Sequence, residues 1–388
     1  MPEHREKMDK PDHREKLDEA FMRVALEWAK CGEGHVEPNP MVGCVLTRDD
    51  KVIGHGYHKQ FGGPHAEIVA INSLESPPLA QGATAYVTLE PCCHHGKTPP
   101  CSEALIKAGV KRVVVAMPDP FPKVDGGGLK QLSEAGIQTT LGVLADEAAA
   151  LNAPYLKKLR TGVPWMIAKW AMTVDGRIAT IGGESQWITN DQSRQRSHTL
   201  RGRVDAVVVG MGTVVADDPM LTARPADPKS KLPRTATRVV FCRNRLPDLD
   251  SKLVRTASSF PVKLVTGSLI TKSLLQPYLD LGIDVFETQT DDSAKMIASA
   301  TKHFGDINMT NVMIEGGGEL LGSFLAAGCI DECHVYVGAK LFGGNRSPGP
   351  IGGAGIRQII DANTLELQQV DSLGDDVRMI YRCKSIEG

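Results

Sequence analysis

The 388-residue chain has no uninterrupted apolar run of membrane-spanning length. Its first sixteen residues, MPEHREKMDKPDHREK, are charged where a secretory signal needs an apolar stretch. Nor is there a surplus of either charge: 44 Lys and Arg stand against 46 Asp and Glu, a formal net charge of -2. No bulk attraction to nucleic acid or membrane is therefore expected, and the expected location is the cytoplasm. A disulfide framework is missing as well, because nine cysteines at these spacings in a reducing compartment are not a scaffold set. Cys31, Cys44, Cys242, Cys329, Cys333 and Cys383 are scattered and read as ordinary buried thiols. Cys92, Cys93 and Cys101 fall in one stretch. The 41% hydrophobic and 23% charged composition excludes wholesale disorder, collagen and coiled coil, and the length suits two domains, each with its own core.

Residues 1–16 read as a charged tail carrying a short imperfect repeat, His4-Arg5-Glu6-Lys7-Met8-Asp9 against His13-Arg14-Glu15-Lys16-Leu17-Asp18. Leu17, Phe21, Val24, Ala25 and Trp28 then recur at helical spacing. A hairpin follows between Met41 and Tyr57, and after it strands alternate with helices of about ten residues, the pattern of a largely parallel α/β sheet. Polar, breaker-rich Lys157–Pro164 reads as a joint, dividing a first domain at 17–158 from a second at 159–388. In the second, strands are expected near Trp165–Ala171, Asp205–Gly210, Arg238–Phe241, Val262–Val265, Val312–Glu315 and Glu332–Val337, with Pro225–Pro233 as a surface loop.

In the first half, Gly62-Gly63-Pro64-His65-Ala66-Glu67 opens a helix, since proline is tolerated at a first helical position. A strand ends in Glu90-Pro91-Cys92, and Cys101 follows Pro99-Pro100 at the start of another helix. One His and two Cys give Zn²⁺ three soft or borderline ligands and leave a fourth position for water, the arrangement of a catalytic site. Helix N-termini favour thiolates there. Cys93, His94 and His95 compete as ligands on composition alone, although their adjacency to Cys92 strains simultaneous coordination. Glu67 lies about 200° round a regular helix from His65. Both reach one pocket only if the metal sits off the helix end, where the Glu67 carboxylate would carry a proton.

This pattern resembles the zinc-dependent nucleobase deaminases, whose signature is H-x-E followed by P-C-x-x-C. The spacing between Cys92 and Cys101 departs from it, because Cys-His-His-Gly-Lys-Thr-Pro-Pro intervenes. That longer insertion looks like the pyrimidine deaminase domain of the bifunctional riboflavin biosynthesis enzymes, as do Asn39-Pro40-x-Val42-Gly43 and Gly54-x-Gly56-x-His58. The resemblance implies zinc on His65, Cys92 and Cys101 but not Cys93, proton transfer by Glu67, and a substrate grip from Asn39. His94, Lys97 and Thr98 are further substrate candidates.

In the second half, Glu315-Gly316-Gly317-Gly318-Glu319-Leu320-Leu321-Gly322-Ser323 follows an apolar strand and opens a helix, a context that lets phosphate approach backbone N–H groups. It has neither G-x-G-x-x-G spacing nor a Walker lysine. Lys169–Arg177, Ser185–Thr189 and Gly212–Arg224 precede it, and in this order they resemble the reductase domain of the same enzymes. That resemblance implies a dihydrofolate-reductase-like α/β domain beside a cytidine-deaminase-like three-layer α/β/α domain. It also implies NADPH as cofactor, met by Ala171, Trp187, Thr213, Asp217 and the Gly317, Gly318, Glu319, Leu320, Leu321, Gly322, Ser323 turn. Ser185, Arg201, Leu221, Arg224 and Glu315 would meet a pyrimidine ribotide, both arginines suiting its phosphate, and Lys169 and Asp175 would steer protons. Where relatives often read Asp-Ser at a strand end, this chain reads Phe241-Cys242, a departure at a cofactor contact that bears on the 2′-phosphate. The expected function is zinc-dependent deamination of 2,5-diamino-6-(5-phospho-ribosylamino)pyrimidin-4-one, then reduction of its ribosyl group to ribityl. The expected partners are small molecules, with no nucleic acid or membrane, and a homo-oligomer is implied by family analogy.

Overall fold

Met22, Ala25, Leu26 and Ala29 recur every three or four residues and are all buried, so the first helix, α1 (His13–Lys30), lays one stripe on a sheet. The computed structural model describes residues 13–94, 99–122, 124, 126–227 and 230–384. The helix starts at His13, inside the stretch expected as a tail. Glu15 in its first turn and an Arg14 to Asp18 pair one turn apart support that earlier start. Most of the proposed tail, residues 1–12, lies outside the described residues.

The chain divides into two compact units, Met1–Leu159 and Arg160–Gly388. In the first, α1 is followed by the hairpin β1 (Gly43–Arg48) and β2 (Lys51–Tyr57), then α2 (Ala66–Asn72), β3 (Thr84–Val87), α3 (Cys101–Lys107) and β4 (Arg112–Val115). After these come α4 (Gly127–Glu134), β5 (Gln138–Leu141), α5 (Ala145–Leu151) and α6 (Ala153–Thr161). The sheet order is β2-β1-β3-β4-β5, antiparallel through β1 and parallel from β3 to β5. Successive strand residues face opposite ways. Leu46, Ala85, Val87, Val113 and Val115 pack with Ala66 and Ala70 of α2, Leu105 of α3 and Leu132 of α4. Val45, Tyr86 and Val114 pack with Met22, Ala25 and Leu26 of α1 and Ala148 of α5. The result is the expected three-layer α/β/α arrangement. The 157–164 stretch is not an irregular joint, since α6 runs through it to Thr161 and the division between units falls inside that helix.

The second unit holds β6 (Trp165–Thr173), α7 (Asp191–Arg201), β7 (Ala206–Gly210), α8 (Met211–Asp217), β8 (Thr237–Cys242), α9 (Lys252–Arg255), β9 (Val262–Thr266) and α10 (Lys272–Asp280). It continues with β10 (Asp284–Glu287), α11 (Ser293–Asp306), β11 (Asn311–Ile314), α12 (Gly318–Ala326), β12 (Glu332–Gly338), β13 (Leu365–Leu373) and β14 (Asp376–Cys383). Nine strands run in the order β10-β9-β8-β7-β11-β6-β12-β14-β13, parallel except where β14 pairs with β12 and β13. Helices α11 and α12 cover one face and α7, α8, α9 and α10 the other. Connections leave β7 toward β8 and β11 toward β12, so a crevice opens between the carboxyl ends of β7 and β11. Strands β10, β13 and β14 were not anticipated.

One buried ion pair ties the first unit together. The Arg112 guanidinium donates to both Asp18 oxygens at 2.7 and 2.6 Å and to Thr140 Oγ1 at 2.9 Å, and the Tyr86 hydroxyl donates to Asp18 at 2.8 Å. Asp18 and Arg112 side chains are only 6% and 9% exposed. Arg112→Ala would strand the Asp18 carboxylate and is expected to cost about 3–5 kcal/mol, read by denaturant unfolding. A loss under about 1 kcal/mol would contradict that role.

Candidate metal centre and candidate reductase cleft

Three helix or strand ends meet above β3. His65 is the N-cap of α2 with extended backbone, Cys101 is the first residue of α3, and Cys92 sits in the turn after β3. The His65 Nδ1 lies 3.2 Å from Cys101 Sγ and 3.6 Å from Cys92 Sγ, and all three donor atoms lie within 4.8 Å of one another. Sulfur and nitrogen ligands on a tetrahedral zinc are separated by about 3.6 Å, given bonds of about 2.3 and 2.1 Å, so the trio fits that ion. Among the described residues no fourth donor joins the group. The Cys93 sulfur faces Val124 O at 3.8 Å, and the His94 ring tilts toward Phe121, while His95, Lys97 and Thr98 lie outside the described residues.

The electrostatics suit a cation. A hydrogen bond from the Cys101 thiol holds the Cys92 thiol down at about 4 against burial, with His65 and the Cys101 backbone N–H, 3.3 Å away, adding to it. The same bond and burial push Cys101 up. The two sulfurs thus share one proton, which a divalent ion would displace. Glu67 is fully buried beside them, in hydrogen-bonding reach of Cys101, and burial raises its carboxyl. The angular difficulty between His65 and Glu67 disappears because His65 stands ahead of the first helical turn.

Asn39 and His58 make a second contact pair nearby. His58 Nδ1 is 3.0 Å from the Pro64 carbonyl, which only accepts, so that nitrogen carries the proton. His58 Nε2 must then accept from Asn39 Nδ2 at 3.2 Å, which leaves the Asn39 side-chain oxygen for a ligand. Glu90, given no role from the sequence, accepts from the backbone N–H groups of Asp119, Gly126, Gly128 and Leu129 at 3.0–3.4 Å. It thereby pins the loop leading into α4 beside Cys92.

In the second unit a cavity of about 460 Å³ opens at the crevice between β7 and β11. Of the expected cofactor residues, Ala171, Trp187, Thr213, Asp217, Gly317, Gly318, Glu319, Leu320 and Leu321 line it. So do Lys169, Ser185, Arg201, Arg224 and Glu315 of the expected substrate residues. Gly322, Ser323, Leu221 and Asp175 are not among its lining. Gly322 lies against Gly352, whose carbonyl would be 2.4 Å from an added Cβ, and the Ser323 hydroxyl donates to Glu319 O. Leu221 is packed in the core. Asp175 accepts from Thr173 Oγ1 and from the N–H groups of Phe342 and Gly343, which ties a loop rather than aiming at a ligand. Arg194 and His198 line the cavity and were missed, although both share the Arg201 face of α7 at helical spacing.

The Gly316–Gly318 turn lines the cavity, and glycine is needed at two of its positions. A Cβ on Gly316 would come within 2.8 Å of Leu320, one on Gly318 within 3.0 Å of Gly349 O, and the turn presents backbone at the start of α12. Gly317 N–H donates to Thr213 Oγ1 at 3.2 Å, bridging the two sides of the crevice. At its floor Glu315 accepts from Lys169 Nζ at 2.9 Å and Arg201 Nε at 2.7 Å. Burial alone would raise this carboxyl, but Arg201 and Lys169 reverse that and hold it at about 2. Burial, with Arg201, Arg224 and Lys169, lowers His198 to about 4, so its imidazole is neutral at pH 7.

Residues 164–379 match the family described as the RibD C-terminal domain, and residues 15–117 match the cytidine and deoxycytidylate deaminase zinc-binding region. The riboflavin biosynthesis protein RibD of Actinobacillus pleuropneumoniae is 39% identical over 361 residues, 93% of this chain and 94% of that protein. This chain belongs to the RibD family of riboflavin biosynthesis proteins. RibD of Escherichia coli is 36% identical over 376 residues, 92% of this chain and 97% of its own length. The solved Acinetobacter baumannii RibD superposes with a TM-score of 0.82 at 37% identity, covering 96% of this chain and all of that one. A Thermotoga maritima diaminohydroxyphosphoribosylaminopyrimidine deaminase/5-amino-6-(5-phosphoribosylamino)uracil reductase gives 0.80 at 31% identity, over 96% of this chain and 100% of its own. The RibD chain thus joins a zinc-binding deaminase domain to a reductase domain, with zinc and NADPH as its cofactors.

The Glu315 triad predicts a pH signature. Its folded value lies below the ordinary 4.5, so the stabilisation, about 3 kcal/mol, is complete above 4.5 and is lost as pH falls toward about 2. Glu315→Gln is expected to remove the part of the acid sensitivity of unfolding that falls in this window. An unchanged acid limb would contradict the assignment.

Proposed function

We propose that the first unit removes the exocyclic amino group of 2,5-diamino-6-(5-phospho-ribosylamino)pyrimidin-4-one as ammonia. The second unit then reduces the ribosyl group of the product to ribityl. The observation that carries this reading is the His65, Cys92 and Cys101 trio with a buried carboxyl beside it and no fourth protein donor among the described residues. Zinc, when bound, makes a water molecule acidic near neutral pH and so supplies a nucleophile for a ring carbon. Glu67 would take one proton from the attacking water and pass it to a ring nitrogen, then take the remaining proton from the hydroxyl added to the ring carbon and deliver it to the amino group, which leaves as ammonia as the C=O forms. A buried carboxyl with a raised pKa is suited to both directions of transfer. Asn39, its amide turned by His58, presents an oxygen that accepts from a pyrimidine N–H.

For the reductase, NADPH when bound would supply the hydride, and an imine formed by opening of the ribosylamine would offer the electrophilic carbon that accepts it. Glu315 holds Lys169 and Arg201 in fixed positions at the cavity wall, and the Thr222 carbonyl accepts from Arg201 Nη1 at 3.3 Å, so both cations are oriented in advance. Arg224 and Arg201 would take the ribotide phosphate, and Lys169 would steer a proton to the opened ring. The Gly316–Gly318 turn and Thr213 would take the cofactor's pyrophosphate.

The protein acts on small molecules, and none of its helices, among the described residues, is long and apolar enough to cross a membrane. A cytoplasmic setting suits it, since two of its cysteines are metal candidates and none among the described residues is in a disulfide. The exposed side of β13 and the segment before it leave Ile359 93%, Ile360 86%, Leu367 51% and Val370 55% exposed, and we assign this face to a homo-oligomer contact. Sedimentation above the monomer mass would support that contact, and a monomer at every concentration would refute it.

Purified protein given the diaminopyrimidine ribotide should show one ultraviolet change without NADPH and a further change with it. Glu67→Gln should keep stoichiometric zinc by atomic absorption yet lose ammonia release by about 10²–10⁴-fold. Native ammonia release from that variant would sink the role given to Glu67.

A further inference from the structure

His198 stands in the reductase cavity with no part in the hydride transfer described above. It shares one face of α7 with Arg194 and Arg201, one turn before it and one turn after, and all three line the cavity. Its neighbours on that face are engaged. The Arg194 guanidinium lies over the Trp187 ring, 4.6 Å from its centroid, and Arg201 is held by Glu315. Among the described residues neither ring nitrogen of His198 has a hydrogen-bond partner, and Nδ1 is buried, which leaves Nε2 as the nitrogen open to the cavity. A polar ring left unpaired this far inside a protein costs free energy that a ligand can recover.

We propose that His198 binds the phosphate of the reductase substrate alongside Arg201 and Arg224, and that it takes up a proton from solvent as the phosphate enters. The inference rests on the reductase reading above, which puts the ribotide phosphate on those two arginines. The charged groups acting on the ring come from every side of it: Arg201 from its own helix, Arg224 from the segment after α8, Lys169 from β6 and Glu315 from the end of β11.

In the empty cavity three cations therefore stand against one carboxylate, and burial together with this surplus keeps the imidazole neutral. A phosphate monoester brings a charge of about −1.5 to −2 at pH 7, enough to cancel the surplus. The protonated ring then becomes the favoured form beside it, and its Nε2–H donates to a phosphate oxygen in a charge-assisted hydrogen bond. Because the ligand raises the ring from about 4 toward its ordinary 6.5, the added affinity is greatest at low pH and is lost as pH rises through the value in the complex. A third arginine at this position would hold the phosphate at every pH, whereas an imidazole holds it in proportion to its protonation.

The test is steady-state NADPH oxidation by the full-length protein, with the deaminated ribotide and with its dephosphorylated riboside, between about pH 6 and pH 8. This assay reads the second unit alone. His198→Gln keeps a polar side chain that does not titrate. It should raise KM for the ribotide roughly tenfold at the acid end with kcat within about twofold, and the difference from wild type should shrink toward the alkaline end. KM for the riboside should be the same in both proteins. Calorimetry with ribitol 5-phosphate in two buffers of different ionisation enthalpy should show proton uptake by wild type in excess of the variant. Thr199→Ala, an exposed change on the same helix, should alter none of these. An equal rise in KM for ribotide and riboside, a rise independent of pH, a fall in kcat with KM unchanged, or no change at all overturns the proposal and leaves the reductase reading standing. Wild-type protein that oxidises no NADPH with the deaminated ribotide overturns that reading and the proposal with it.

Discussion

Both candidate sites depend on one constraint: parallel strands deliver the chain to the helices that follow at a single edge of the sheet. Above β3, this edge gathers the first residues of α2 and α3 and the turn holding Cys92, so three donors distant in sequence come within 4.8 Å. At β7 and β11 it gathers the start of α12, Thr213 and the Glu315 triad around one crevice. Helix starts carry unpaired N–H groups and the positive end of the dipole, which suits thiolates in one unit and phosphates in the other.

The two sites handle charge differently. In the first, two sulfurs and an imidazole would neutralise a divalent ion, and the arrangement without one is a shared-proton pair with Cys92 low and Cys101 high. In the second, the charges are internal to the protein. Glu315 surrenders both oxygens to Lys169 and Arg201, leaving one net positive charge fixed at the floor of the cavity. That preorganisation costs burial of three ions, which the short, direct contacts offset. Glu90 does comparable work in the first unit without touching the metal trio, because its four backbone bonds hold the loop packed beside Cys92.

His65, Cys92 and Cys101 were legible because metal ligation demands particular atoms at helix starts marked by prolines, and such signals survive in the linear chain. Glu315 and Lys169 were legible by resemblance, and their mutual contact was not, since 146 residues separate them. The Glu315–Ser323 run opens a helix as the sequence suggests, and because α12 begins at Gly318, Gly322 faces a neighbouring backbone and Leu321 reaches the core as well as the cavity. Asp175 looked like a proton carrier and is a loop tie, a distinction that depends on the amides of Phe342 and Gly343 far along the chain. Strand β13 escaped notice because its ladder shifts register between Leu367 and Gln369, which breaks the period-two alternation that marks a strand. Helix α6 escaped because only Leu156 of it is buried, so it carries no broad apolar stripe.

The account turns on a metal centre with three protein ligands and one position open to water. X-ray absorption spectroscopy of the zinc-loaded protein tests it most directly. Two sulfur scatterers at about 2.3 Å, one imidazole nitrogen at about 2.0–2.1 Å and a light-atom ligand exchangeable with added anions are predicted. A closed shell of four protein ligands, or no zinc retained after purification with metal supplied, would contradict it.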